Sequence, residues 1–293
     1  MFAIIDWPSN LGLRPSGVET LPEALRRAGI LTRLGARDAG RVVPEAEYDA
    51  TRSSETGVLN GPGLRDAVQS LAGAGAEVME RHEVPIVLAG DCSVILGGLL
   101  AMRKNGPLDA PALLFIDGHV DFYQPEASPT GEAADMDLAL ATGRGPAMLT
   151  TFDGRTPLVR DEDVAAVGAR DRDEREKAGS QDIRSTGIKL FELAAIRDRG
   201  IEAVANEALE VVESRFWCHI DADVLDDGAM PAVDYRQPGG LTADELTTLL
   251  RRAHETGGMA GLSIAIYNPA LDPGGEGARL LVEILGRALR DDV

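Results

Sequence analysis

Short, nearly unbroken apolar runs recur along the chain, and most are followed by a stretch with helical spacing. The runs predict strands at residues 2–5, 84–89, 112–116, 164–169, 188–191, 216–220 and 259–266, seven of about eight strands expected in the chain. Residues 61–81 carry Leu64, Val68, Leu71, Ala74 and Val78 three or four apart, which predicts a helix. Further helices are predicted from just after Ser93 to near Arg103 and at 173–179, 201–214, 242–255 and 276–289. Thr242 followed by Glu245 has the pattern of a capping box. Strands this continuously apolar are buried on both faces. The pattern therefore predicts an α/β fold with a mostly parallel sheet between two helical layers. No linker or internal repeat interrupts residues 1–293, so one domain is expected. The least regular stretches are 9–18, 34–62 and 122–159. Loops that long inside a compact α/β domain are usually functional.

Composition narrows the function. The 293 residues carry 29 Lys and Arg against 48 Asp and Glu, a formal charge of −19. With an isoelectric point near 4.6, the field repels phosphate backbones and anionic lipid. A nucleic-acid or membrane partner is thereby disfavoured, and a small cationic or zwitterionic substrate fits better. No apolar run approaches the roughly 18 residues of a membrane span. The first residues lack a charged and then apolar leader. Two cysteines, Cys92 and Cys218, make no disulfide framework. These features together lead us to expect a cytoplasmic enzyme or binding protein.

In open α/β sheets the ligand sits beyond the carboxyl ends of the strands. Three of those ends are unusual. Residues 84–89 run into Gly90-Asp91-Cys92-Ser93, residues 112–116 into Asp117-Gly118-His119-Val120-Asp121, and residues 216–220 into Asp221-Ala222-Asp223. Any one of these fragments has a bland reading, as a solvated loop or a small buried thiol. Carboxylates, an imidazole and a thiol at three separate strand ends instead suggest one metal site. Oxygen and nitrogen donors suit Mn, Zn or Fe, and a thiolate shifts the balance toward softer ions. Cys92 as a nucleophile would leave the clustered Asp residues unexplained. No nucleophile elbow or phosphate-binding glycine loop is present. His82, His219 and His254 read as structural.

The three segments, in this order, resemble the ureohydrolase family of arginase, agmatinase and formiminoglutamase. So do Val167-Gly168-Ala169-Arg170-Asp171 and Asn268-Pro269. The resemblance implies a three-layer α/β/α sandwich around an eight-stranded parallel sheet, assembled as a homo-oligomer, a trimer or hexamer. It implies two divalent ions, generally Mn, with Zn or Fe brought into play by Cys92. Asp117 and Asp221 would bridge the ions, His119 and Asp223 would bind one, and Cys92 and Asp121 the other. Asp121 would also hold the attacking hydroxide. The implied reaction is hydrolysis of a linear C–N bond in an amidine, hydroxyguanidine or related amino-acid-like molecule.

Three departures from the family pattern matter. Cys92 stands where most members have His, as in a small branch that cleaves hydroxylated arginine, and adds one negative charge to the site. Ala134 stands where arginases have a proton-shuttling His. Glu132, Asp135 or Asp137 could transfer the proton instead or hold a cationic substrate. Ile266 stands where arginase and agmatinase place the Glu that pairs with guanidinium, and an apolar side chain cannot form that pair. Asp171 and Asp173 match positions that hold a substrate α-amino group. Arg170 is expected to be a structural ion-pair partner. The missing His and Glu also leave open a non-catalytic protein that binds a small molecule or partner.

Overall fold

A computed structural model describes residues 1–106, 111–213 and 215–290. The first half of the chain contributes β1 (Phe2–Trp7), α1 (Leu21–Arg27), α2 (Ile30–Leu34), β2 (Arg37–Arg41), α3 (Gly61–Glu80), β3 (Val84–Ala89), α4 (Val94–Lys104), β4 (Ala112–Ile116), α5 (Asp137–Ala141) and α6 (Ala147–Thr150). The second half contributes β5 (Val164–Val167), α7 (Arg172–Ala178), β6 (Lys189–Phe191), α8 (Leu193–Arg199), α9 (Ile201–Val211), β7 (Phe216–Asp221), α10 (Ala243–Glu255), β8 (Met259–Ala265) and α11 (Glu276–Leu289). The predicted helix end at Ser214 lies outside the described residues.

All strand pairs are parallel, in the order β2-β1-β3-β8-β7-β4-β5-β6. α3 and α4 pack on each other and on central strands, while α9, α10 and α11 form a second packed set with α1 and α2. The fold is the expected three-layer α/β/α sandwich, and its sheet is wholly rather than mostly parallel.

The predicted stretch 34–62 is not all irregular, because it contains β2. The segment Arg37-Asp38-Ala39-Gly40-Arg41 carries no apolar alternation, so no pattern betrays it. Among the described residues it pairs only with β1, and it lies at the sheet edge, where charged side chains discourage further pairing. Arg26 clamps it by binding both Asp6 and Asp38. At the other end of the chain the expected strand 259–266 stops one residue early, because Ile266 has φ 70°.

The centre of the sheet is set by one side chain. Trp217 of β7 is fully buried, and its indole lies against Gly98 of α4 and Gly261 of β8. A Cβ at either glycine would approach the ring to 2.3 or 2.1 Å, so both positions need the bare backbone. The Trp217 indole N–H donates to Ser263 Oγ at 2.9 Å, tying β7 to β8. Leu88, Ile264, Ile220 and Ile116 lie in register across β3, β8, β7 and β4. Four neighbouring strands therefore end at one level, and the residues that follow them meet.

Candidate metal centre

Asp117 and Asp221 leave β4 and β7 at that common level and use the same local device. One oxygen of each accepts the backbone N–H two residues on, from His119 at 2.7 Å and from Asp223 at 2.7 Å. Such turns are what Asp side chains stabilise at strand ends. They leave the second oxygen of each carboxylate outside the turn. Asp117 Oδ2 is buried with no hydrogen-bond partner among the described residues. Asp221 Oδ2 accepts from the Cys92 thiol at 2.9 Å. Asp121 adopts φ 44°, a left-handed conformation Asp tolerates, and its carbonyl receives the first N–H groups of α5.

Two overlapping groups take up the expected residues. Cys92, Asp117, Asp121 and Asp221 offer donor atoms all within 4.8 Å of one another, as do Asp117, His119 and Asp223. Asp117 belongs to both. All six expected metal-ligating residues are thus brought together in two sets, although Asp221 falls in only one. Four carboxylates and a thiol crowded together without compensation would be strongly repulsive. Their protonation shows the strain. Burial and then neighbouring carboxylates push Asp117, Asp121 and Asp221 well above the usual carboxylate range. Burial and Asp221 push the Cys92 thiol up in the same way. Burial opposes a charged His119, yet Asp223 at 2.8 Å outweighs it and raises the imidazole to about 9. Asp223 alone is held low: burial is overcome by His119, Arg170 and the Gly118 N–H. This oxygen-rich donor set, with an orphaned carboxylate oxygen at its centre, fits divalent cations.

The groups open into a cavity of about 390 Å³, whose lining includes His119, Asp121, Asp221 and Asp223. The other expected residues are distributed unevenly around it. Glu132 lines the wall, accepting the Arg14 N–H at 2.9 Å and the Tyr235 hydroxyl at 2.9 Å. Asp135 lines it too, its carboxylate cradled by the Ser128 and Thr130 hydroxyls. Burial raises Asp135 to about 7 against the lowering effect of those hydroxyls. Asp137 does not line the cavity. It is fully buried at the start of α5, with neither oxygen hydrogen-bonded among the described residues. Asp171 is buried in an ion pair with Arg175 at 2.8 Å, and Asp173 is exposed on α7. Neither lines the cavity, and Glu174 does. Arg170 donates to the carbonyls of Asp223 and Gln237, so it fastens the β7 loop through backbone oxygens while its charge helps hold the Asp223 carboxylate low.

Ile266 closes one wall, 6% exposed, with its N–H donating to Gly90 O at 3.0 Å. A β-branched residue in the left-handed region stores about 1–2 kcal/mol of strain. Here the strain holds an apolar side chain against the cavity beside the Cys92 turn. Sequence reading missed the rim formed by Glu174, Asp234, Tyr235 and Arg236. Its one available signal is that residues 234–237 follow the Asp221-Ala222-Asp223 strand end.

A model of the arginase family matches residues 1–290. The chain belongs to the arginase family. It is 29% identical over 293 residues to an arginase of Staphylococcus aureus, covering 97% of this chain and 95% of that one. The arginase of Bacillus caldovelox superposes with a TM-score of 0.89 at 27% identity, covering 100% and 99% of the two chains. The proclavaminate amidino hydrolase of Streptomyces clavuligerus shares the fold, with a TM-score of 0.71 at 18% identity over 98% and 90% of the chains. Family membership makes the protein a hydrolase of C–N bonds other than peptide bonds. No helix among the described residues is long and apolar enough to cross a membrane.

Proposed function

We propose that this chain hydrolyses a linear C–N bond in a small amidine- or hydroxyguanidine-bearing, amino-acid-like molecule, using two divalent ions. The observation that carries this is Asp117, shared by two ligand groups whose other members His119, Asp121, Asp221 and Asp223 line the cavity. Cys92, Asp117, Asp121 and Asp221 would hold one ion, and Asp117, His119 and Asp223 the other. The ions would be Mn, or Zn or Fe given the thiol. They supply Lewis acidity and bring the pKa of water toward neutrality. Asp121, on the cavity side, accepts a hydrogen bond from the attacking water and fixes its direction. Glu132, Glu174 and Asp234 attract a cationic substrate end, while Tyr235 and Glu132 form a braced wall at the rim.

The substrate follows from Ile266. A plain guanidinium needs a carboxylate on that wall, whereas an electron-withdrawing N-hydroxyl lowers the basicity of the group and reduces that need. The test is a panel of guanidino, hydroxyguanidino and formimino compounds, assayed with added Mn, Zn or Fe and after chelation. Plain arginine should be among the poorest substrates, and chelation should abolish turnover. Ile266→Glu should raise kcat/KM for plain guanidines about 10–100-fold, the worth of one charged hydrogen bond. Full activity in the stripped protein would overturn the reading.

Asp135 fills the proton-transfer role, because it lines the cavity one residue beyond Ala134 and titrates near neutrality. Glu132 raises it and Arg52 lowers it, so the two nearby charges partly cancel. As a base it must be ionised, so kcat at saturating metal should rise through about pH 7. Asp135→Asn should flatten that limb and lower kcat roughly 100-fold or more. An unchanged profile would remove Asp135 from the reaction.

A further inference from the structure

His219 reads from the sequence as a structural residue, but its surroundings say more. It sits on β7 two residues before Asp221, so alternation puts both side chains on one face of the sheet. Its ring is 0% exposed and stacks on Phe115 with centroids 5.3 Å apart. Nδ1 lies 2.8 Å from Ser263 Oγ, the same hydroxyl that receives the Trp217 N–H. Nε2 is buried and has no hydrogen-bond partner among the described residues. A core histidine held only for packing has both nitrogens satisfied. His219, Cys92 and Asp117 offer donor atoms all within 4.8 Å of one another, and Nε2 is the ring nitrogen not already engaged by Ser263.

We infer that His219 Nε2 is a ligand of the ion on the Cys92 side, supplying the nitrogen donor that Cys92 does not. This rests on the proposed two-ion reading and extends it. With Nδ1 protonated and donating to Ser263, the lone pair sits on Nε2, the usual arrangement in which an outer hydrogen bond fixes the tautomer of a ligating imidazole. Ser263 can accept from both Trp217 and His219, because a hydroxyl oxygen has two lone pairs. The charge balance favours such a ligand. Four carboxylates and a thiolate already exceed the charge of two divalent ions, so a further donor must be neutral. A thiolate and an imidazole on one ion also favour Zn over Mn there.

The alternative tautomer places a proton on Nε2 and makes His219 a hydrogen-bond donor to Cys92 or Asp117. The two are separable by NMR of protein with ¹⁵N-labelled imidazoles, loaded with ¹¹³Cd. The chain has 4 histidines, so the spectrum is simple. Nitrogen–cadmium couplings are expected from two imidazoles, His119 and His219, and His219→Gln should abolish one. Ser263→Ala, which leaves every ligand in place, should weaken one ion about 10–100-fold by releasing Nδ1. Two bound ions with coupling to His119 only would overturn this inference and leave the two-ion reading intact. Failure to bind any ion would overturn both. The wild-type spectrum decides the matter even where His219→Gln does not fold.

Discussion

Asp117→Asn should cost the protein both ions and lower turnover roughly a thousandfold or more, several kcal/mol at about 1.4 per tenfold. The residue is singular because both ligand groups contain it. Its Oδ1 takes the His119 N–H, and Asn retains an oxygen for that bond, so the strand-end turn survives. Its Oδ2 is the unpartnered buried oxygen, and Asn puts a neutral amide where the shared anion stood. The replacement therefore removes charge without removing the fold. Metal content by mass spectrometry should fall from about two ions per chain to below one, whereas changes to Asp223 or Cys92 should each spare one ion. The metal-free protein should meanwhile melt no lower than wild type, since a buried carboxylate among other carboxylates has been neutralised. Retention of two ions by Asp117→Asn would contradict the shared-ligand arrangement.

The centre of this fold was legible because burial on both faces leaves a continuous apolar signal, and because the polar residues that break it carry the chemistry. β3, β4 and β7 are each found by such a run, and Cys92, Asp117 and Asp221 lie just past or at its end. β2 was invisible for the opposite reason: an edge strand of five residues, three of them charged, has nothing to bury. Asp171 shows a different limit. Family position suggests a substrate contact, but Arg175 stands four residues on, and in a helical turn that spacing makes an ion pair. Glu174, in the same turn, faces the cavity instead. The rim at Tyr235 and Arg236 depends on which loops approach one another, and no local pattern encodes that approach. His219 lies between these cases. Its two-residue offset from Asp221 is plain in the sequence, yet it has meaning only once Asp221 is placed at the floor of a site.

Ion affinity should climb about a hundredfold per pH unit for the pair of ions between pH 6.5 and 8.5, one factor of ten for each of two protons displaced. The protons come from His119, raised to about 9 by Asp223 against the effect of burial, and from Cys92, raised by burial and Asp221. Both are protonated in the metal-free protein across this window, and both must lose a proton to ligate. The raised carboxylic acids add to the slope at its lower end. The same shifts fix the sign of the stability change. A group whose folded pKa lies above its unfolded value stabilises the fold below the unfolded value and loses that contribution as pH rises. For His119 the loss runs from 6.5 to about 9, and for Asp117, Asp121 and Asp221 it begins above 3.8. The metal-free fold should therefore weaken as pH increases, while the ion-loaded fold should strengthen, and the two trends cross. Calorimetric titration of Mn or Zn in buffers of different ionisation enthalpy counts the released protons directly. About two or more at pH 7.5 are expected. Release of none would mean that the thiol and the imidazole are not ligands, and the site would have to be rebuilt from carboxylates alone.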